Sequence, residues 1–407
     1  MLETFGTILY LRRHLDSTMI SAWILVLLTL GHVATGDVTQ QQALSAAESS
    51  FSQKLYKNVA LQQSNIVYSP YSIHSVLTMT SLGARGNTAT EMINVLELGS
   101  IASPHQTYHD LIVEWNSVTG VVLNTCNAIF SDPLEMILPS FTNQVTGYYL
   151  ATARNLDLAE PEKAINSLVA NKTNGVISEV LKPGSLDPSN VLVLVNVIFF
   201  NGTWENPFHD YSTQKQDFHQ LGGVVTKVDM LKDFGHHARY KNDDALGVDV
   251  VELFFKGNQF SFYIALPQKV DGIKDLENQL TAPGKVDLLF QGLQSGTVDL
   301  SVPKFKIETS LDLEQTLITM GMASAFNSRA DFSGINGVGS LQIDKVIHKA
   351  VIEVQETGTV AAAATVVSIT KELIMIPDAV IVADHPFLFF IRDNKNNAIL
   401  FQGKFSG

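Results

Sequence analysis

The sequence predicts an α+β fold built as one large domain. Helical periodicity is concentrated early, as in Leu44, Ala47, Phe51 and Leu55, whereas strand-like runs dominate beyond residue 190. No Pro/Gly/Ser-rich linker, repeat or charge block divides the 407 residues, and apolar residues make up 45% of them. One extended core therefore accounts for the chain better than several small ones.

The first 36 residues read as a leader. Arg12 and Arg13 precede the apolar run Ala22–Leu30, and Ala34-Thr35-Gly36 offers small residues for cleavage. Met19 is an alternative start. The run falls short of the roughly 20 apolar residues that a spanning helix needs. Residues 37–407 then form the mature domain. It keeps the formal charge of −13, because the leader carries two basic and two acidic residues. That charge disfavours nucleic acid and anionic membranes as partners. Cys126 has no second cysteine to pair with and is expected to be buried. Asn171-Lys172-Thr173 and Asn201-Gly202-Thr203 are glycosylation sequons suited to a secreted chain.

After a helix over residues 40–62, Ser69 is a natural N-cap and Pro70 a natural first residue for a helix through Ile73, Val76, Leu77 and Leu82. Thr88-Ala89-Thr90-Glu91 reads as a capping box for the next helix. Val191–Phe200 is a continuous apolar run, as in a central strand buried on both faces. Asn196 interrupts it and must find partners, since an unpaired buried amide costs roughly 1–3 kcal/mol. Val248–Phe255 and Phe260–Leu266 predict a hairpin. Val298–Ile307 is expected as one strand, and a helix comes next from Leu313 through Phe326. Asp384–Ile391 and Ala398–Phe405 form a last hairpin.

No G-x-S-x-G, P-loop or H-E-x-x-H motif is present. Asp233-Phe234-Gly235 mimics a kinase tripeptide without that enzyme's other motifs. His236-His237 lacks a third ligand at metal-binding spacing and is expected to face solvent in a loop. The sequence implies no enzyme, cofactor or metal.

The stretch from His348 to Pro377 stands apart. Ala350, Ile352 and Val354 alternate as on a strand, which runs into Glu356-Thr357-Gly358-Thr359-Val360 and then Ala361, Ala362, Ala363, Ala364 and Thr365. An alanine run by itself favours a helical turn. Its neighbours fit a small-residue strand that turns at Gly358.

These residues resemble the mobile hinge of the serpins, suicide inhibitors of serine proteases. Asn65, Ser69, Pro70, Ser72, Asn206-Pro207-Phe208 and Ala330–Ile335 extend the resemblance from about residue 40 to the end. It implies helices packed on three β-sheets with an exposed reactive loop. It also implies that Ser69, Ser72, Asn196 and His348 form a polar cluster that lets the main sheet open, with Trp204 where the hinge enters. The partner would be a target serine protease, held covalently by a monomeric inhibitor. Counting fourteen residues past Gly358, the cut bond would follow Glu372, with Leu373 next. A loop shorter by one gives Lys371, and Leu373 or Met375 are further alternatives. The region that is basic in heparin-activated relatives has no Lys or Arg between Arg85 and Arg154, so heparin binding there is not expected. A non-inhibitory carrier or chaperone on the same fold is the competing reading, and its hinge would be bulky or charged.

Overall fold

A computed structural model describes residues 40–60, 63–157, 159–187, 192–339, 341–359 and 376–407. Helix α1 (residues 40–59) buries Leu44, Ala47, Phe51 and Leu55 as its periodicity predicts. Strand β1 (Ile66–Tyr68) leads to α2 (Pro70–Ser81), where the Ser69 hydroxyl accepts from Ser72 N–H and Pro70 opens the first turn. Helices α3 (Gly86–Val95) and α4 (Pro104–Asn116), strand β2 (Val121–Ser131), helix α5 (Pro139–Tyr149), strand β3 (Thr152–Asn155) and helix α6 (Pro161–Lys172) come next.

The expected capping box is not one. Helix α3 already begins at Gly86, and Thr88 and Glu91 lie inside it. Tertiary partners take both side chains: Thr88 Oγ1 accepts from Asp331 N–H, and Glu91 accepts from Ser324.

The strand-rich half starts with β4 (Leu192–Gly202), β5 (Gln214–His219), β6 (Val225–Asp243), β7 (Val248–Phe254) and β8 (Phe260–Pro267). Helices α7 (Ile273–Leu280) and α8 (Lys285–Leu288) precede β9 (Gln294–Pro303) and β10 (Phe305–Asp312). The single strand expected over Val298–Ile307 is thus two. Lys304 donates to Asp229 O as the chain leaves one sheet for the other, and Pro303 just before it has no N–H to continue a ladder. The helix expected over 313–326 is also broken. Helix α9 (Glu314–Thr319) stops before Gly321, whose φ of +110° no helix accepts, and Ala323–Phe326 forms a 3₁₀ turn. Short α10 (Ser333–Asn336), β11 (Lys345–Val354), β12 (Ala379–Val382), β13 (Phe387–Asp393) and β14 (Ile399–Phe405) complete the chain.

Hydrogen bonding among the described residues gives two sheets. Strands β10-β11-β4-β2-β3 make the first, and the second runs β1-β14-β13-β8-β7-β6-β9-β12 with β5 on β6. Two of the three sheets implied by the resemblance are joined here by β6. Its 19 residues pair with β5 at one end and β7 at the other, with a register shift between Asp233 and His236. In the five-stranded sheet, β4 and β11 are parallel neighbours from Lys345–Val193 to Val351–Phe199.

Both faces of β4 are buried. Leu194, Ile198 and Phe200 join the main core, while Val193, Val195, Val197 and Phe199 pack beneath α6 with Ile165 and Val169. Continuous apolarity in residues 191–200 reflects those two layers.

Candidate functional site

The parallel register of β4 and β11 sets Asn196 opposite His348. Both side chains are fully buried. His348 Nδ1–H donates to Asn196 Oδ1 at 2.5 Å, and His348 Nε2 accepts from Ser69 N–H at 3.1 Å. The two bonds fix the tautomer. Burial lowers the imidazole to a pKa of about 3, so it is neutral at physiological pH. Asn196 Nδ2 lies within hydrogen-bonding distance of Ser72 O, Ser72 Oγ and Asn127 Oδ1. The four residues singled out from the sequence therefore converge on one point beneath the sheet.

Asn127 joins them and was missed. It sits opposite Asn196 in the β2–β4 register. Only that register, invisible in a sequence, would have identified it.

The segment expected to be the hinge lies at the upper end of the same strand pair. Direct pairing of β4 with β11 stops at Phe199–Val351. Beyond it, Thr359 occupies the end of β4: Thr359 N–H donates to Gly202 O and Gly202 N–H donates to Thr359 Oγ1, both at 2.8 Å. Thr359 is fully buried. Gly358 makes this approach possible. Its φ is +151°, and a Cβ there would lie 2.0 Å from Gly202 O.

Trp204 closes the top. Its N–H donates to Thr357 O at 3.0 Å and its Nε1–H to Gln355 O at 2.9 Å, while the ring stacks on Phe255 at 4.6 Å. Glu356 pairs with Lys304 at 2.8 Å and accepts from Thr213 Oγ1 at 2.8 Å. Burial pushes the Glu356 carboxyl up, but these donors outweigh it and hold it below its usual range. Lys304 and Thr213 were not anticipated, because their proximity depends on the crossing between sheets.

Ala361 to Thr365, and with them Lys371, Glu372, Leu373 and Met375, lie outside the described residues. Asn171 is exposed in the last turn of α6, with Thr173 of its sequon buried below it. Asn201 is half-buried near the end of β4, opposite Val122. Cys126 is buried as expected, and burial pushes its thiol up to about 11.

The expectation for His236 is corrected. It lies on β6, buried against Phe208 with ring centroids 5.3 Å apart, and contacts Asp233 at 2.7 Å. A bulge at Phe234-Gly235 turns the strand so that His236 points inward while His237 stays exposed.

The family model described as Serpin (serine protease inhibitor) matches residues 46–407. The chain is 34% identical to human Serpin B4 over 387 residues, covering 89% of this chain and 99% of that protein. It is 33% identical to the leukocyte elastase inhibitor of Sus scrofa over 389 residues, covering 90% and 99%. Human thyroxine-binding globulin in complex with thyroxine superposes with a TM-score of 0.82 at 28% identity, over 90% of this chain and 98% of that one.

Proposed function

This chain belongs to the serpin family, and from that premise we propose that it is a secreted, monomeric, suicide-type inhibitor of serine proteases. The observation that carries the reading is Thr359, bonded to Gly202 and fully buried where β4 and β11 part. The hinge has taken its first step into the sheet, and the alanines next in the chain are small enough to continue it.

The protease serine attacks the carbonyl carbon of the bait residue. The peptide bond to the next residue breaks, the departing amine takes a proton from the protease histidine, and an ester links the two proteins. The loop then inserts, as serpin loops do. Here the register gives it specifics. With Thr359 opposite Gly202 and Gly358 opposite Thr203, each further residue moves one step down β4, and Ile369 arrives level with Leu192. Lys371 and Glu372, the bonds favoured for cleavage, then fall just past the end of the strand.

Thr359, Ala361, Ala363 and Thr365 come opposite Gly202, Phe200, Ile198 and Asn196 and face the main core. Ala362 and Ala364 come opposite Phe199 and Val197, beneath α6. At residues 361–364 both faces of the entering strand must therefore be small. The four alanines meet that demand, and Val360, opposite half-buried Asn201, lies above it. Thr365 reaches the Asn196–His348 contact, which must break as the sheet opens. Ser72 and Asn127 then hold Asn196 from below and Ser69 holds His348, while Trp204 guides the hinge at the top. Glycans at Asn171 and Asn201 accompany secretion after leader removal.

Incubation of residues 37–407 with trypsin-, chymotrypsin-, elastase- and Glu-specific proteases is expected to give an SDS-stable complex with at least one, and sequencing of the released C-terminal fragment identifies the bond. Cleavage of the loop by every protease without a complex would refute inhibition. A carrier reading draws on the likeness to thyroxine-binding globulin. A cavity between α1, α7 and β14 lined by Tyr56, Glu277 and Gln402 measures about 10 Å³, far below the roughly 300 Å³ of a small ligand pocket. A wider groove of about 360 Å³ between α4 and α5, lined by His109 and Tyr148, lies open to solvent.

A further inference from the structure

We propose that Glu48 is a proton switch acting on α2: as a neutral acid it closes a hydrogen-bonded relay through Tyr108 to His74, and its ionisation opens the relay and loosens the helix that holds the Asn196–His348 junction. The switch is independent of the inhibitory reading. Glu48 lies on the buried face of α1 and is 1% exposed. The Tyr108 hydroxyl of α4 stands 2.8 Å from Glu48 Oε1 and 2.5 Å from His74 Nδ1 of α2. His74 Nε2 lies 2.8 Å from Leu96 O at the end of α3. Tyr108 and His74 are fully buried. One chain of hydrogen bonds thus ties α1, α4, α2 and the end of α3 together.

Counting protons along that chain assigns one to Glu48. The Leu96 carbonyl can only accept, so His74 Nε2 carries a proton. In a neutral imidazole Nδ1 is then an acceptor, and the Tyr108 O–H must point to it. Turning that proton to Glu48 instead would set two lone pairs face to face across 2.5 Å. Thr78 Oγ1 is more distant from Nδ1, at 3.4 Å. The Tyr108 oxygen is left to accept, and Glu48 can supply a donor only as the protonated acid. Placing the proton on His74 would bury an imidazolium and a carboxylate, which is costly. Glu48 Oε2 agrees with the neutral form: it is buried with no partner among the described residues, a lesser penalty for an acid carbonyl than for a carboxylate oxygen. Burial accordingly raises Glu48 to about 8 and lowers His74 to about 4.

The surroundings leave the proton in place. Tyr71 of α2 and Tyr149 of α5 pack against the Tyr108 ring, and burial pushes both phenols up. Tyr149 is held by His105 Nδ1 at 2.7 Å. Glu97 is engaged by Lys54 at the surface, and no lysine or arginine among the described residues acts on Glu48. When the Glu48 proton leaves for solvent, Tyr108 turns its O–H to the carboxylate and His74 Nδ1 loses its donor. His74 follows Ser72 by two residues on α2, whose first turn holds Asn196 through Ser72 and His348 through Ser69. Release of His74 therefore frees the helix directly beneath the junction.

The test is denaturant unfolding of residues 37–407 against pH, for the wild type and for Glu48→Gln, whose amide N–H replaces the acid O–H at Tyr108. The folded wild type keeps the proton to about pH 8, whereas the unfolded chain ionises above 4.5. Unfolding thus releases a proton between those values, and stability falls as pH rises. From pH 6.5 to 8, above the range of the histidines, the unfolding constant of the wild type relative to the variant is expected to rise by up to about tenfold per pH unit and then to level off. Backbone amides of α2 are expected to exchange about tenfold faster in the wild type than in Glu48→Gln at pH 9, and equally at pH 6.5. A ratio of unfolding constants that does not change with pH overturns the proposal, and equal exchange at pH 9 overturns the action on α2. If Glu48→Gln fails to fold, infrared spectra of the wild type replace it. A carboxylic-acid carbonyl band that disappears with a midpoint near pH 8 is then expected, and its absence at pH 6.5 overturns the proposal.

Discussion

Replacing Thr359 with Glu is expected to convert the protein from an inhibitor into a substrate. Thr359 is buried with both its amide and its hydroxyl bonded to Gly202. A carboxylate in that place loses the hydroxyl bond and must be desolvated, at a cost of several kcal/mol. Insertion competes with hydrolysis of the ester, and each 1.4 kcal/mol added to its barrier slows it about tenfold. The variant should be cut at the same bond and at a normal rate, with the stoichiometry of inhibition raised more than about tenfold and the SDS-stable band lost. Thr359→Ser keeps the hydroxyl and should behave as the wild type. Trapping by Thr359→Glu at the wild-type stoichiometry would show that this side chain does not enter the sheet.

The second large effect is expected at Asn196. Alanine there leaves the His348 Nδ1–H without its acceptor and Asn127 Oδ1 without a donor, in a buried site. Two unsatisfied buried groups cost about 3–5 kcal/mol together, which for a chain of this length lowers Tm by roughly 5 °C. Since the lost bond joins β4 to β11, the variant should also insert its own intact loop or polymerise on mild warming, seen by native gel.

Acid attacks the same junction. His348 has its folded pKa depressed from 6.5 to about 3, so the unfolded chain binds the extra proton first. Its contribution is complete above pH 6.5 and is lost as pH falls toward 3, by about 2 kcal/mol at pH 5. Burial also lowers His74 and His105 to about 4, so the acid slope belongs to all three. A His348→Gln variant should show a shallower fall in Tm between pH 6.5 and 5 than the wild type. An equal slope would show that His348 contributes nothing to the acid sensitivity.

Much of this was legible in the residues because local chemistry and tertiary demand agree there. Ser69 and Pro70 start α2 in the structure as their side chains dictate, and the apolar run with Asn196 inside it is the buried strand whose one amide finds partners. Gly358 with small residues after it pointed to a backbone that must approach another closely, which the 2.0 Å clearance at Gly202 O explains. Elsewhere the local signal was overridden. Thr88 and Glu91 have the spacing of a cap but are claimed by residues 324–331. Strand composition runs unbroken through Pro303-Lys304-Phe305, yet the chain changes sheets there. His236 looked like a loop residue because a bulge hides strand alternation. Burial of both faces of β4 was legible in its continuous apolar run, but that α6 covers one of them was not, and this cover makes the whole alanine run the relevant feature of the expected hinge.

The central claim is that the space between β4 and β11 accepts residues 359–369 as a strand. The most direct measurement is thermal melting before and after the loop is nicked by a protease that is not trapped. A strand bonded along both edges adds on the order of ten or more backbone hydrogen bonds of about 1 kcal/mol each, and a chain of this size gains roughly 1 °C per kcal/mol. The cleaved protein is therefore expected to melt about 10 °C or more above the intact one. An unchanged or lower Tm after complete cleavage would contradict insertion.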